Sequence, residues 1–163
     1  MGNEVRDPTG REQPSFPPFP PTSGELVAWC ARQWGDADLV VLGDHRLTYS
    51  AAEARSAALA KGLLAAGVGK GSRVGLLAPN GPEWVVAWLA ATRIGAVVAL
   101  LNTYSKAREL GRALRHADVA HLITVPSYLG NDYLERLMVA VPGIDEQPAE
   151  QVLLASHPFL RAV

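Results

Sequence analysis

Three short apolar segments, separated by stretches with helical spacing, narrow the folds open to this chain. They read RVGLLAP (73–79), AVVALL (96–101) and VAHLITV (119–125). Segments this short and this apolar are typical of strands that are covered on both faces. Strands that alternate with helices over short loops predict βαβ units. We therefore expect an α/β fold with a mostly parallel sheet flanked by helices.

The residues before the first of these segments predict a helix and a hairpin. Thr22-Ser-Gly-Glu25 has the pattern of a capping box, Leu26 and Cys30 follow at helical spacing, and Gly35 would end the helix. Residues 39–49 read as two short strands around a turn at 43–46. The sheet should thus be preceded by one helix and a small hairpin.

Capping patterns also mark the helices that alternate with the apolar segments. Ser50-Ala-Ala-Glu53 predicts a second helix that Gly67 ends, and Asn80 is the expected N-cap of a third, which Gly95 ends. Further helices are predicted over about 106–116 and 133–140. The second helix should turn one face to the core: Ala52, Leu59, Leu63 and Ala66. The third is apolar nearly all round, so we expect it to be buried between layers.

The first 21 residues form a separate segment, polar at first and then rich in proline. Proline lacks the N–H that helices and strand ladders require, so this segment is predicted to be a flexible or polyproline lead-in to a domain over 22–163. A linker, a strap lying on the domain and a PxxP ligand for a partner all fit this composition.

The glycine cluster GVGKGSRVGLLAPNG (67–81) suggests a phosphate-binding loop at first sight. A P-loop needs GxxxxGK[ST] between a strand and a helix, but here Gly71 follows Lys70, and the GxGxxG fingerprint fails as well. The cluster also follows a helix and precedes a strand, so it meets the negative end of the helix dipole. We interpret it as a helix stop and a tight turn.

Other candidate residues have stronger structural interpretations. The four histidines lack metal-ligand spacing, the Trp84–Trp88 pair fits helix packing, and Cys30 fits a buried helix face. We predict no catalytic residue and no metal site in this chain, and the residues that would bind a cofactor stay unknown. The histidines are His45, His116, His121 and His157.

Charge and cysteine content exclude several classes of protein. The net charge is −1, so the chain lacks the excess of positive charge that is typical of nucleic-acid-binding proteins. A single cysteine, Cys30, favours a reducing compartment. The longest apolar run, 84–101, is interrupted by Thr92, Arg93 and Gly95, whereas a membrane span needs about 20 apolar residues. We expect a cytoplasmic protein with no transmembrane segment.

Several motifs occur together in the order seen in one enzyme superfamily. They are Leu47-Thr48-Tyr49, the turn GVGKGSRV (67–74), PNGPE (79–83) and TRIGAVVALLN (92–102). In this order and spacing, residues 24–163 resemble the N-terminal part of the AMP-forming acyl-CoA synthetases, within the adenylate-forming superfamily. RELGRALRHAD (108–118) and NDYLERL (131–137) resemble the acyl-CoA synthetases more than peptide-synthetase adenylation domains.

The resemblance implies a two-step ligase reaction. A carboxylate attacks the α-phosphate of ATP with the help of Mg²⁺, giving acyl-adenylate and pyrophosphate, and the thiolate of CoA then displaces AMP. The family's Ser/Thr/Gly-rich loop, adenine-contacting segment, hinge aspartate and catalytic lysine match no position here, so no catalytic residue is carried over. HPFLRAV (157–163) resembles the stretch that leads into a further core strand.

Three functional hypotheses follow. The first is the N-terminal part of a fatty-acyl or other carboxylate CoA ligase, inactive alone, whose exposed apolar face meets the remainder of the large domain or a second copy. The second is a non-catalytic binding or oligomerisation module from a truncated gene. The third is a flavodoxin-like nucleotide binder with its site around 78–80 and 101–103, where Asn80 would face phosphate.

Overall fold

The structure is a computed structural model that describes residues 17–163. Helices and short strands alternate along this part of the chain, as the apolar segments predict. In chain order the elements are α1 Ser23–Trp34, β1 Asp38–Leu42, β2 His45–Thr48, α2 Tyr49–Ala65, β3 Arg73–Leu77, α3 Pro82–Arg93, β4 Val97–Leu100, α4 Ala107–His116, β5 His121–Thr124, β6 Ser127–Tyr128, β7 Asn131–Asp132, α5 Tyr133–Ala140 and a 3₁₀ turn Ile144–Glu146.

The predicted parallel sheet is formed by the three apolar segments in the order β4-β3-β5. Strand β3 lies in the centre and pairs in parallel with both neighbours, with Leu76 opposite Leu100 and Leu77 opposite Thr124. Its residues from Val74 to Leu77 are buried. The βαβ interpretation of the sequence is therefore confirmed.

Strand β4 is less buried than the sequence predicts. We expected 96–101 to be covered on both faces, but Val97 is 55% and Leu100 57% exposed. The reason is the strand order: β4 lies at an edge of the sheet within residues 17–163. An apolar run thus indicates a strand without telling its place in the sheet.

The predicted hairpin is present as β1 and β2, which pair antiparallel. Gly43 at its tip has φ 56°, the left-handed conformation that glycine adopts without strain. Before it, α1 begins where the capping pattern predicts, because the Thr22 hydroxyl accepts the Glu25 N–H at 3.2 Å. Residues 1–16 of the proline-rich lead-in lie outside the described residues, while the ring of Phe19 packs 5.5 Å from that of Trp29.

Two of the predicted helix caps are wrong. The N-cap of α2 is Thr48 rather than Ser50, since the Thr48 hydroxyl accepts the Ala51 N–H at 3.2 Å as the chain leaves β2. The N-cap of α3 is Gly81 rather than Asn80, because Pro82 occupies the first helical position. Both helices exist as predicted, but each capping pattern was placed at the wrong residue.

The buried face of α2 also differs from the prediction. Leu59 is 37% exposed, whereas Ser56 and Ala60 are buried beside Ala52. Ser56 is buried because Arg93 of α3 donates to its hydroxyl at 2.8 Å. Arg93 also reaches Glu53 at 2.8 Å, so polar bonds join α2 to α3 beside their apolar contacts.

The glycine stops of α2 and α3 are confirmed. Gly67 and Gly95 have φ 84° and 79°. After α2 the Gly67 N–H bonds the Leu64 carbonyl and the Val68 N–H bonds the Leu63 carbonyl, the paired bonds of a Schellman motif. Each helix therefore ends in a turn that leads the chain directly into the next strand.

Helices α4 and α5, both predicted, cover one part of the core. Leu110 and Leu114 of α4 pack in one cluster with Leu122 of β5 and Leu137 of α5. Gly111 permits close contact, because a Cβ built there would lie 2.6 Å from the Ala140 carbonyl oxygen. The small hairpin β6–β7 before α5 was not predicted; Leu129 and Gly130 form its turn with φ 47° and 75°.

The last residues lie against the free side of β5. Ala162 forms a parallel bridge with His121, and its carbonyl accepts the Leu122 N–H at 2.9 Å. This agrees with the resemblance of 157–163 to a stretch that leads into a further core strand.

Replacing Gly111 with alanine tests the contact between α4 and α5. We expect Gly111→Ala to lower the free energy of unfolding by about 1–3 kcal/mol through overpacking. Gly62→Ala is the matched control, since its Cβ would meet open space on the exposed face of α2. That change should raise stability by about 0.5–1 kcal/mol. Urea unfolding of both variants measures these changes. A higher free energy of unfolding in both variants would contradict the close contact between α4 and α5.

Candidate functional site at the carboxyl edge of the sheet

The carboxyl ends of parallel strands are where open α/β sheets bind ligands. In this chain three loops begin at that edge: 78–81 after β3, 101–105 after β4 and 125–132 after β5. The strand register places their starting points level with one another. We call these three loops the carboxyl edge and treat it as the candidate functional site.

The loop after β4 is held in a defined turn. The side-chain oxygen of Asn102 accepts the Tyr104 N–H at 2.9 Å, and the Asn102 carbonyl accepts the Ser105 N–H at 3.1 Å. Asn102 therefore fixes the backbone on which Tyr104 stands. The Tyr104 side chain projects from this turn and is 85% exposed.

Arg136 of α5 connects the loop after β4 to the loop after β5. Its guanidinium donates to the Thr103 carbonyl at 2.7 Å and to the Asn131 side-chain oxygen at 2.8 Å. The same group lies 5.2 Å from the ring centroid of Tyr133, a buried side chain, at cation–π distance. Because β4 and β5 lie on either side of β3, Arg136 bridges the end of the central strand.

The loop after β3 does not place Asn80 in the capping position that the sequence predicts. Asn80 is exposed and does not cap α3, so its proposed place facing a phosphate at the helix N-terminus is not supported by a cap geometry. At the neighbouring strand end, the Thr124 hydroxyl donates to the Leu77 carbonyl at 2.9 Å and so ties β5 to β3. The edge thus offers amide groups and the exposed rings of Tyr104 and Tyr128.

The first part of the glycine cluster, residues 67–72, lies at the opposite, amino edge of the sheet. It connects the end of α2 to the start of β3, and the Gly71 N–H donates to the Gly95 carbonyl at 2.9 Å. The Ser72 hydroxyl accepts the Gly69 N–H at 2.9 Å. The hydroxyl and amide that resemble a phosphate cradle are therefore used to brace two neighbouring turns.

The four histidines lie outside the three loops of the carboxyl edge. His45 and His116 are exposed at element ends, as expected for His116 at the end of α4. His121 is half-buried, and burial lowers its pKa, while a bond with the backbone of Ala66 opposes the shift. Within residues 17–163, no three His, Cys, Asp or Glu side chains are grouped so that they could hold a metal ion.

His157 is the buried histidine and joins the last segment to α4. Its Nε2 lies 3.2 Å from the Gly111 carbonyl, which can only accept, and 3.3 Å from the Arg115 Nη1, which can only donate. Burial lowers the pKa of His157, the bond to Gly111 opposes this, and the Arg115 charge lowers the pKa further. Beside it, at the end of α4, lies a cleft of about 120 Å³ lined by Leu114, Arg115, Val119, His157, Pro158, Phe159 and Leu160.

The remaining candidates occupy packing positions. Trp84 and Trp88 are half-buried and pack on clusters formed by β3 and α3, as the helix-packing interpretation predicts. Cys30 is buried in α1. None of the helices that residues 17–163 form combines the length and apolarity that crossing a bilayer requires.

Comparison with known proteins identifies the family. The family model described as "AMP-binding enzyme" matches residues 27–161. The chain is 35% identical over 144 residues to the putative acyl-CoA synthetase YngI of Bacillus subtilis, covering 87% of this chain and 26% of that protein. It is 37% identical over 93 residues to the medium/long-chain-fatty-acid–CoA ligase FadD6 of Mycobacterium tuberculosis, covering 57% and 16%.

Solved structures agree with these relatives. A fatty acyl CoA synthetase of Mycobacterium tuberculosis matches with a TM-score of 0.59 and 30% identity, over 63% of this chain and 21% of that one. The chain belongs to the AMP-binding enzyme family and corresponds to the N-terminal part of AMP-forming acyl-CoA ligases. It spans about a quarter or less of the length of these relatives, and the matches do not favour the non-catalytic module.

The buried histidines predict a loss of stability in acid. Because folding lowers their pKa below the ordinary 6.5, the unfolded chain binds protons first, and stability falls as pH falls through and below that value. Each histidine contributes a slope of at most about 1.4 kcal/mol per pH unit. His157→Gln keeps a donor for Gly111 and should remove about half of this acid-side slope.

The control for this experiment is His116→Gln at the exposed end of α4. Its slope of unfolding free energy against pH, measured by urea unfolding between pH 5 and pH 8, which spans about the histidine range, should match that of the unchanged chain. If the slope for His157→Gln equals the slopes for His116→Gln and for the unchanged chain, His157 does not couple protonation to folding.

Proposed function

We propose that the complete protein is an AMP-forming acyl-CoA ligase, and that residues 22–163 supply the N-terminal layer of its large domain. The support is the family match over residues 27–161, together with relatives whose names specify acyl-CoA synthetase or ligase activity. The substrate class is a carboxylic acid, with fatty acids favoured by the name of the FadD6 relative. The single, buried Cys30 favours the cytoplasm.

The reaction would proceed in two steps. The carboxylate oxygen bonds to the α-phosphorus of ATP as pyrophosphate leaves, and the CoA thiolate then attacks the acyl carbon as AMP leaves. ATP, CoA and Mg²⁺ would therefore be the cofactors and co-substrates. Such catalysis depends on positioning and on charge stabilisation of the phosphates.

Residues 17–163 do not fit the ATP phosphates or the metal. The glycine cluster meets the C-terminal end of α2, whose partial negative charge disfavours phosphate. The part of the chain that the structure describes groups no metal-binding carboxylates. We therefore place ATP and Mg²⁺ binding in the portion of the ligase that this chain does not span, and assign no catalytic residue here.

The partner of this layer is the rest of the large domain. Val97 and Leu100 leave apolar surface along β4, at an edge of the sheet whose backbone groups are free to pair with another strand. We assign this edge to the remaining part of the same ligase rather than to a second copy, because the matched segment makes up 26% or less of the length of these relatives.

Carboxylate-dependent exchange of labelled pyrophosphate into ATP tests this proposal. The protein from the complete reading frame should catalyse the exchange with fatty acids and form acyl-CoA when CoA is added. The 163-residue chain alone should catalyse neither step, since we place the binding of ATP and Mg²⁺ in the rest of the ligase. No exchange by the complete protein with fatty, aromatic or short acids would contradict the proposed function.

A further inference from the structure

Arg136 has no role in the function proposed above, yet its guanidinium holds two of the three loops of the carboxyl edge together. It joins the loop after β4 to the loop after β5, and its contact with Thr103 spans 33 residues of the chain. Both oxygens that it binds, one from Thr103 and one from Asn131, are uncharged. Within residues 17–163, no carboxylate forms a salt bridge with it.

The contacts of Arg136 fix the positions of two uncharged oxygens and do not pair it with a negative charge. A guanidinium is planar and presents its donors in a fixed fork, so two acceptors bound together are held at a set separation. The Tyr133 ring beneath the guanidinium is buried and limits its movement further. Asn131 in turn donates to the Leu129 carbonyl at 3.3 Å, which extends the brace to the β6–β7 turn.

The side chain that this brace positions is Tyr104. Arg136 holds the carbonyl of Thr103, the residue immediately before Tyr104, and Asn102 holds the Tyr104 N–H. Both contacts hold the peptide bond before Tyr104, and after the tyrosine the Ser105 N–H donates to the Asn102 carbonyl at 3.1 Å. The backbone on both sides of Tyr104 is therefore held, while its ring is 85% exposed. An aromatic ring on a fixed backbone makes contacts with little loss of conformational entropy.

The chemistry around Tyr104 favours an apolar ligand over a phosphate. The Arg136 guanidinium already binds two oxygens, and the Asn102 side-chain oxygen accepts a backbone N–H. The large apolar group that this loop exposes is the phenol ring of Tyr104. Its face suits the acyl or aryl portion of a carboxylic acid.

We propose that Arg136 is a positioning residue that fixes the 101–105 loop so that Tyr104 contacts the acyl or aryl portion of the carboxylic acid substrate. This inference rests on the proposed ligase function. Loss of Arg136 would free the loop and misplace the ring, which weakens substrate binding without removing a reacting group. Loss of Tyr104 would remove the same contact directly.

Steady-state exchange kinetics of the complete protein test this proposal. Arg136→Ala and Tyr104→Ala should each raise the KM for the acid by roughly tenfold to a hundredfold, the size of effect that misplacement produces. The KM for ATP should change by less than about twofold, because the lost contact is not with the nucleotide. Arg136→Lys keeps one donor and should restore part of the loss. Arg112→Ala, on the exposed face of α4, is the matched control.

The double variant separates positioning from general destabilisation. If Arg136 acts through Tyr104, the KM effects of the two alanine substitutions should not add, because the second removes nothing further. Hydrogen exchange at the Tyr104 and Ser105 amides should also quicken in Arg136→Ala but not in Tyr104→Ala.

Two results would overturn the proposal while leaving the ligase function intact. One is an active Arg136→Ala protein whose KM for the acid equals that of the unchanged protein. The other is a pair of substitutions with additive effects or with a change confined to the KM for ATP. An unchanged protein that shows no exchange would instead remove the proposed function itself.

Discussion

The pairing of β3 with a parallel neighbour on each side is the constraint on which the rest of this structure depends. Val74 to Leu77 are buried between helices and neighbouring strands, and a Cβ at Gly75 would lie 3.0 Å from Val119 Cγ1, so a side chain there would force its neighbours to shift. Every turn that enters or leaves β3 must therefore fit a fixed strand. The Schellman turn at Gly67 and the Pro82 start of α3 satisfy this requirement at its two ends.

This central pairing also decides where function can lie. It places the glycine loop 67–72 at the amino edge of the sheet, next to the C-terminal ends of the helices. It places the loops after β3, β4 and β5 together at the carboxyl edge. The glycine-rich loop therefore has a structural role. Residues without a recognisable motif, such as Thr103 and Tyr104, lie at the edge where parallel sheets bind ligands.

Local patterns in the sequence predict most of the elements but few of the contacts between them. Helix stops at Gly67 and Gly95 are readable because only glycine takes a left-handed turn cheaply. The caps at Ser50 and Asn80 were wrong because the preceding strand and Pro82 shift the helix start, which a four-residue pattern does not contain. Arg136 was missed because its partner Thr103 is distant in sequence, and burial of Ser56 depends on an arginine from another helix.

The central claim is that β3 forms the most stable part of this chain, and native-state hydrogen exchange measures it directly. Amides of β3 that bond to β4 and β5 should exchange only through global unfolding, with the same free energy and the same denaturant dependence as urea unfolding. Amides of the β1–β2 and β6–β7 hairpins should exchange through smaller openings at lower free energy. Exchange from β3 that is as fast as exchange from either hairpin would contradict this account.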